Sequence, residues 1–400
     1  MRVLESRSIV LNNNAERAVS GILLAGEGAP DIIVQTHMSL SRQTITSVWP
    51  TRRFLVMCRC ARMKLWMRLL HRLSSESASQ TVLAGNPMRA YIDATTSCNN
   101  CCRFCKVHVS NPGTASKALD AIEYELLEAR ATGLSFVVFS GGEVTTRPDL
   151  VSLIKMARGF GFTDIQLQTN GRHFADPKNC DSVIEAGVTE FLISIHGFDA
   201  DTHDWHTRQP GSYSQTVMGI RNLVNKGAVV LTNTVITKRN YTHLANIVRL
   251  VASLGVSTIQ LAYLHLVGTA AIRADELLVR KKHVSTYVCR ALDEETSSRT
   301  YKMVEAIPYC LLPGHEQFCA DLYATTTYLR QNKEFGAYDK SIVRAKGPRC
   351  KECNLDEICY GPWKEYPDLF GWDEFVPVSG FSVESLVRES VLRDVSGDLR

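Results

Sequence analysis

The eight residues from Cys98 to Cys105 constrain this chain more than any other stretch of its 400 residues. Cys98, Cys102 and Cys105 are spaced C-x3-C-x2-C, and Cys101 adds a fourth thiol inside the segment. A regular helix or strand would not bring these positions to one point, so we predict that they lie on one loop. Soft thiolates suit iron–sulfur clusters, zinc and copper. Structural zinc usually takes four protein ligands, so three thiolates favour a cubane cluster with one open iron, with a zinc loop as the alternative.

With Phe104 directly before the last cysteine, this loop resembles the signature of the radical S-adenosylmethionine (SAM) enzymes. In that family the open iron binds the amino and carboxylate groups of the methionine moiety of SAM. The resemblance implies a 4Fe–4S cluster on Cys98, Cys102 and Cys105, the catalytic cysteines, with SAM as the second cofactor. It also implies that SAM is cleaved reductively to a 5′-deoxyadenosyl radical, which abstracts hydrogen from a substrate C–H bond.

Composition agrees with metal-bound thiolates in a reducing compartment. The chain has 13 Cys, many of them at short spacings, 45% hydrophobic residues and a formal net charge of +4. This charge is too small to predict nucleic-acid binding, so no nucleic acid is expected as a partner. The sequence opens without a signal-peptide pattern and contains no long uncharged apolar run. We therefore expect a cytoplasmic protein without a transmembrane segment.

From Arg89 onward, strand patterns alternate with helix patterns, which predicts an α/β fold with a parallel sheet and right-handed crossovers. Six strands are predicted, at Ala90–Thr95, Phe136–Phe139, Asp164–Gln168, Glu190–Ser194, Val229–Val235 and Thr258–Leu264. Helices are predicted at Ser116–Ala131, Asp149–Arg158, Cys180–Glu185, Ser214–Asn225, Tyr241–Leu254 and Asp275–Leu292. Six units are fewer than the eight of a closed barrel, so we expect an open, partial (βα)6 TIM-like barrel.

This pattern predicts three regions: an N-terminal extension of unknown role (1–86), a radical SAM core (87–300) and a C-terminal iron–sulfur region (301–400). In the extension, Gly21–Ala25 and Asp31–Val34 are candidate short strands. The acid-free basic segment Arg52–Arg72 is predicted to be a helix that packs on the core. A membrane-surface helix or a docking helix is the alternative. Ser74–Gln80 is predicted to be a linker.

Polar motifs follow three of the predicted strands, at the strand ends where α/β barrels hold their sites. Gly141-Gly142-Glu143 follows the second strand, and Asn170 and Ser194 follow the third and fourth. Two glycines let a backbone approach a neighbour closely. The family resemblance implies that the Gly-Gly-Glu stretch meets the amino group of SAM, and that the other two residues contact its carboxylate or ribose.

One position departs from the family pattern. His196 stands where many relatives have Asp, so the contact at the end of the fourth strand is less securely implied. The polar block Asp199–Arg208 that follows is predicted to be a solvated loop at the barrel mouth. A metal site formed by His203, Asp204 and His206 is the alternative.

A second group of cysteines lies near the C-terminus. Cys350, Cys353 and Cys359 are spaced C-x2-C-x5-C, and either Cys310 or Cys319 could supply a fourth thiolate. This group resembles the SPASM or twitch region of radical SAM enzymes, which implies an auxiliary iron–sulfur cluster. A structural zinc on the same thiolates is the alternative.

Two further residues refine this second prediction. Trp363 occupies the position of a further SPASM cysteine, so one auxiliary 4Fe–4S cluster is expected, not two. Cys310 is preferred as the fourth ligand because Pro308 stiffens the chain that leads to it.

The resemblance implies a radical SAM oxidoreductase or maturase that oxidatively modifies a peptide or protein. A radical SAM oxidoreductase acting on a small metabolite is the alternative within enzymes. An iron–sulfur scaffold or electron-transfer protein is the alternative outside them, but it would not need the Gly-Gly-Glu stretch. The expected partners are the peptide or small-molecule substrate and an electron donor such as flavodoxin or ferredoxin.

Overall fold

The computed structural model describes the strand backbones at 2–9, 19–25, 32–39 and 42–49, then residues 89–107, 116–297, 299–322 and 343–380, with positions 383 and 386. Two compact units result, Met1–Thr81 and Val82–Arg400. The predicted helix Arg52–Arg72 and linker Ser74–Gln80 lie outside the described residues. In the part that is described, no helix is both long and apolar enough to cross a membrane.

The first unit contains a four-stranded antiparallel sheet in which each strand pairs with the next one along the chain. Its strands are β1 (Arg2–Ile9), β2 (Val19–Ala25), β3 (Ile32–Ser39) and β4 (Arg42–Trp49). The two candidate strands of the sequence overlap β2 and β3. The outer strands were not predicted because both are rich in polar residues and contain no continuous apolar run.

The second unit is built on a seven-stranded parallel sheet whose strands follow one another in chain order. They are β5 (Arg89–Thr95), β6 (Phe136–Gly141), β7 (Asp164–Thr169), β8 (Glu190–Ser194), β9 (Val229–Ile236), β10 (Thr258–Tyr263) and β11 (Tyr301–Glu305). The predicted α/β, TIM-like partial barrel is confirmed, with one strand more than predicted. The extra strand β11 is short and mostly half-buried, so its sequence lacks a strong apolar signal.

Helices connect these strands. They are α1 (Leu119–Ala131), α2 (Leu150–Gly159), α3 (Pro177–Ala186), α4 (Ala200–Thr207), α5 (Ser212–Asn225), α6 (Leu244–Ser253), α7 (Thr269–Ile272), α8 (Ala274–Leu277), α9 (Lys281–Asp293) and α10 (Glu365–Phe370). Two predictions need correction. The solvated loop expected at Asp199–Arg208 is helix α4, whose N-terminus is capped by the Asp199 carboxylate. The last predicted helix, Asp275–Leu292, is divided into α8 and α9.

The two faces of the parallel sheet differ in chemistry. On β5, Ala90, Ile92 and Ala94 are buried in the apolar core, whereas Tyr91 and Asp93 point to the opposite face and are exposed. We call the face that contains Tyr91 and Asp93 the inner face. The strand register shows that it continues across the sheet as a largely polar surface. Its polar members include Ser140, Gln166, Gln168, Glu190, Ser194, Asn233, Gln260 and Glu305. The apolar face therefore stabilises the fold, while several polar groups of the inner face hydrogen-bond across neighbouring strands, such as Ser140 to Gln168 and Gln260 to Glu305.

Candidate functional site

The cysteine loop begins where β5 ends, and neighbouring elements hold its backbone. Cys101 N donates to Thr207 O (2.9 Å), and Arg103 N donates to His206 O (2.9 Å), so the end of α4 supports the loop from one side. On another side, Cys105 O accepts hydrogen bonds from Thr269 N (3.0 Å) and Thr269 Oγ1 (2.8 Å). The predicted loop thus lies at the carboxyl end of the sheet, and its shape depends on elements distant in sequence.

The two glycines after β6 allow the loop to come close to the strand. A Cβ on Gly141 would lie 2.2 Å from Thr95 O, and one on Gly142 would lie 2.2 Å from Ser97 O. Gly142 N donates to Thr95 O (2.6 Å), and Glu143 N donates to Ser97 O (2.7 Å). The neighbour that requires these glycines is therefore the base of the cysteine loop, where the sequence had suggested a ligand.

The Glu143 side chain is only 1% exposed and connects the ends of two strands. Its Oε1 accepts from Thr145 N (3.1 Å), Thr145 Oγ1 (2.6 Å) and Thr169 Oγ1 (2.7 Å). Its Oε2 accepts from Asn170 N (2.6 Å). Because a carboxylate oxygen has about two lone-pair sites, Oε2 can accept one further donor. Glu143 thus organises the strand ends and still has one acceptor site.

Asn170 also contacts the cysteine loop, together with a residue that the sequence did not single out. Asn170 Nδ2 donates to Asn99 Oδ1 (2.6 Å), and Arg172 Nη1 donates to Asn99 O (2.5 Å) and Asn100 Oδ1 (2.8 Å). In the sequence, only the position of Arg172 in the turn directly after Asn170 could have indicated that it contacts the cysteine loop. Ser194 lies at the end of β8, half-buried, and its hydroxyl has no hydrogen-bond partner among the described residues.

Three histidines form a buried group beneath the cysteine loop. His196, His203 and His206 are each at most 3% exposed, and the Phe104 ring packs against His196 at 4.8 Å between centroids. Burial lowers the pKa of His203 and His206 to about 4 each and that of His196 well below its ordinary value. The imidazoles are therefore uncharged at neutral pH.

The hydrogen bonds of these histidines argue against the metal site considered for this segment. His206 Nδ1 donates to Thr202 O (2.7 Å), so its Nε2 accepts from the Thr237 hydroxyl (2.7 Å). His203 Nδ1 accepts from His196 N (3.1 Å). Both ring nitrogens of His206 and Nδ1 of His203 are thus engaged within the protein, whereas His203 Nε2 is buried without a hydrogen-bond partner. We interpret the group as a support for the loop.

Cys98 and Cys102 of the cysteine loop are not activated as nucleophiles. Desolvation raises the pKa of Cys98 to about 11, and the Glu143 carboxylate and neighbouring thiols act in the same direction, against a hydrogen bond from Asn100 N. Burial also raises the pKa of Cys102, with Cys98 and Cys105 contributing. Reactive cysteines have lowered pKa values in electropositive surroundings. Clustered neutral thiols instead fit a metal centre, which binds thiolates and displaces their protons.

The C-terminal cysteines surround one pocket. Cys310, Cys350, Cys353 and Cys359 all line a space of about 420 Å3 that is partly open to solvent. Tyr309, Pro308 and Phe375 are among its other walls. Cys319 does not line it. That residue is 1% exposed, and its thiol donates to Ile307 O (3.8 Å) inside the core.

Backbone N–H groups point at three of these four sulfurs. Gly347 N donates to Cys350 Sγ, Val378 N to Cys353 Sγ and Gly361 N to Cys359 Sγ, each at 3.3 Å. Hydrogen bonds to sulfur stabilise thiolate charge and are a principal means by which proteins tune iron–sulfur clusters. The donor set of this pocket therefore fits a four-thiolate cluster.

Trp363 stands where the full SPASM pattern would have a further cysteine, and it is packed between two side chains. Its indole stacks on His265 at 4.0 Å between centroids, and the Arg344 guanidinium lies 4.6 Å from its ring centre. Its Nε1 donates to Tyr263 O (3.1 Å). The indole thus fills this position with a packed aromatic side chain.

Thiol spacing bears on the zinc alternatives. Across residues 89–107, 116–297, 299–322 and 343–380, no three His, Cys, Asp or Glu side chains are placed to bind one metal ion. Ligands of a single zinc all lie about 2.0–2.3 Å from one centre, so the side chains of these described residues do not form a preassembled single-ion site.

Residues 92–251 match the family described as the Radical SAM superfamily. The AdoMet-dependent heme synthase of Oleidesulfovibrio alaskensis is 29% identical over 216 residues, which cover 51% of this chain and 53% of that protein. A probable GTP 3′,8-cyclase of Saccharolobus solfataricus is 29% identical over 186 residues, which cover 46% of this chain and 59% of that protein. The chain thus spans about half the length of the curated relatives it matches.

One solved structure shares the fold over most of the chain. Streptococcus suis SuiB bound to its precursor peptide SuiA superposes with a TM-score of 0.50, covering 79% of this chain and 80% of that chain at 14% identity. The family match contains the cysteine loop and the carboxyl ends of β5 to β9, the elements that build the site described above. By this match, residues 92–251 of the chain form a domain of the radical SAM superfamily.

Proposed function

We propose that this chain is a radical SAM oxidoreductase that oxidatively modifies a peptide or protein, a maturase with two 4Fe–4S clusters. The observation that carries the proposal is the presence of two separate sets of thiols in one unit. Cys98, Cys102 and Cys105 would hold the cluster that binds SAM. The second cluster would be held by Cys310, Cys350, Cys353 and Cys359, the four thiols around the C-terminal pocket.

The family implies the first cluster and SAM, which together supply hydrogen-atom abstraction from an unreactive C–H bond. The chain's own groups would bind and orient SAM. Glu143 Oε2, with one lone-pair site remaining, would accept from the amino group of SAM beside Gly141 and Gly142. Asn170 and the unpartnered hydroxyl of Ser194 would contact the carboxylate or ribose.

Four thiolates leave no iron open in the second cluster, so its role would be to relay electrons. Cys310 is proposed as the fourth ligand over Cys319 because it lines the pocket, whereas the Cys319 thiol is buried elsewhere. Removing an electron from a substrate radical makes the overall reaction oxidative. This step motivates the oxidoreductase assignment over a redox-neutral rearrangement.

A peptide substrate is supported by the shared fold with SuiB, whose structure contains a precursor peptide. The second candidate is a radical SAM enzyme acting on a small metabolite. It is favoured by the sequence similarity to a heme synthase and a probable GTP cyclase, each over about half of this chain. An iron–sulfur scaffold is disfavoured by the strand-end groups around Glu143, which such a protein would not need.

SAM cleavage tests the proposed activity. Anaerobically reconstituted protein given dithionite and SAM should release 5′-deoxyadenosine, and Cys98→Ala should release none. Iron-loaded protein that leaves SAM intact with every reductant would reject the enzyme proposal. Mass spectrometry of reactions with a short peptide encoded beside the gene should show a loss of hydrogen. Loss of hydrogen from a small metabolite instead would favour the second candidate.

A further inference from the structure

An ion pair that is almost completely removed from solvent lies against the segment after Cys359, one of the thiols around the C-terminal pocket. Arg344 Nη2 lies 3.2 Å from Asp321 Oδ2, and the two side chains are 1% and 0% exposed. Burying two charges costs desolvation energy that their attraction often does not recover, so such a pair is a poor device for stability alone. Its position suggests another role.

Both partners contact the residues that directly follow Cys359. Arg344 Nε donates to Gly361 O (2.7 Å), and Asp321 Oδ2 accepts from Tyr360 N (3.4 Å). Gly361 N in turn donates to Cys359 Sγ (3.3 Å). The two charges therefore lie against the segment that presents one of the four thiols.

The two charges also act in opposite directions on that thiol. The Asp321 carboxylate is negative and the Arg344 guanidinium is positive, and both hydrogen-bond to the backbone of the two residues that follow the thiol. In a low-dielectric interior, such fields are little screened. A change of charge at the pocket would therefore be felt by both groups.

We propose that the Asp321–Arg344 pair sets the reduction potential of the C-terminal cluster, an inference that rests on the proposed second cluster. A 4Fe–4S cluster on four thiolates has two negative charges when oxidised and gains a third when it accepts one electron. Arg344 stabilises the added charge and raises the potential, whereas Asp321 lowers it. Neither residue is a ligand; both position the segment after Cys359 and bias its electrostatics.

The test uses the full chain with Cys98, Cys102 and Cys105 replaced by alanine, so that only the second cluster remains. After anaerobic reconstitution, its midpoint potential is measured by titration with dithionite and redox mediators, followed by electron paramagnetic resonance. We expect Arg344→Gln to lower the potential and Asp321→Asn to raise it, each by about tenfold in the one-electron equilibrium, or 59 mV. The double variant should lie between them.

A matched control separates charge from general perturbation. Arg249 pairs with Glu294 at the surface, with its side chain 58% exposed, so Arg249→Gln should leave the potential unchanged. Shifts of the same sign for the two pocket variants, or none, would overturn the inference by indicating a purely structural pair. If Arg344→Gln does not hold iron, Asp321→Asn decides alone: a raised potential supports the inference and any other result rejects it. If the variant that lacks Cys98, Cys102 and Cys105 contains no iron after reconstitution, the proposed second cluster itself is rejected.

Discussion

The two cysteine sites are organised in opposite ways. In the cysteine loop, three thiols fall within eight residues, and the supports come from elements far away in sequence, such as α4 and α7. In the C-terminal pocket, Cys310 and the group from Cys350 to Cys359 come from separate segments. Nearby N–H groups donate to the sulfurs of Cys350 and Cys359, and the distant Val378 N donates to Cys353. On the proposed function, the site that must leave room for SAM is held by distant elements, whereas the proposed four-thiolate site brings its ligands together from two segments.

The largest expected difference between the sites is in SAM cleavage. Cys98→Ala should reduce 5′-deoxyadenosine formation to background, whereas Cys353→Ala should retain it and lose only substrate oxidation. Wild-type protein should contain about eight irons, and either site alone about four. These values are measured by product chromatography and iron analysis. Loss of SAM cleavage in both variants would contradict the division of roles.

Next in size is the effect of Glu143, which belongs to the first site alone. Glu143→Ala should weaken SAM binding roughly 10- to 100-fold, as expected for a hydrogen bond to a charged group, without loss of iron. Calorimetric titration of reconstituted protein measures the affinity. Glu143→Gln is the matched control, because it keeps an acceptor oxygen for Thr145 and Thr169. An unchanged affinity in Glu143→Ala would remove this residue from the SAM site.

Both sites contain a glycine that a side chain would displace. A Cβ on Gly142 would lie 2.2 Å from Ser97 O, and one on Gly361 would lie 1.8 Å from Ala345 O. Alanine at either position should lower the free energy of unfolding of metal-free protein by about 1–3 kcal/mol, as for other overpacked sites. Urea denaturation measures this. Gly159→Ala, with no atom within 4 Å, is the control and should be neutral or stabilising.

The smallest expected difference between the sites is in how the free energy of unfolding depends on alkaline pH. Burial raises the pKa of Cys310 and Cys359 to about 12 each, from an ordinary value of 9.0, and desolvation raises that of Cys98 to about 11. The folded state thus retains protons that the unfolded state loses. The resulting stabilisation of the folded state is complete below pH 9 and is lost as the pH rises toward 12, at no more than about 1.4 kcal/mol per pH unit for Cys310 and for Cys359. The exposed Cys98 contributes less because solvent screens its charge.

Unfolding of metal-free protein between pH 8 and pH 10.5, roughly spanning the ordinary thiol range, measures this loss. Replacing Cys310 and Cys359 by alanine should flatten the dependence more than Cys98→Ala does. A steeper profile in the double variant would show that the pocket thiols do not hold these protons.

The sequence alone determined the features that depend on residues close together in the chain. The C-x3-C-x2-C and C-x2-C-x5-C spacings defined the thiol sets, and alternating patterns defined six of the seven parallel strands. These features can be identified from the sequence because ligand spacing within a loop and apolar alternation along a strand are local properties. The positions of Gly141, Gly142 and Glu143 at a strand end followed from the same patterns.

Only the tertiary structure decided the properties that depend on distant contacts. By sequence, only Pro308 favoured Cys310 over Cys319; in the structure Cys319 forms a bridge with Val304 on β11, which places its thiol in the core. Likewise, the Asp199–Arg208 block has the composition of a solvated loop, yet its histidines are buried, because Phe104 and Thr237 contact His206 and Tyr213 packs on His203. Burial and side-chain direction are set by what packs against a residue, and that partner is distant in sequence.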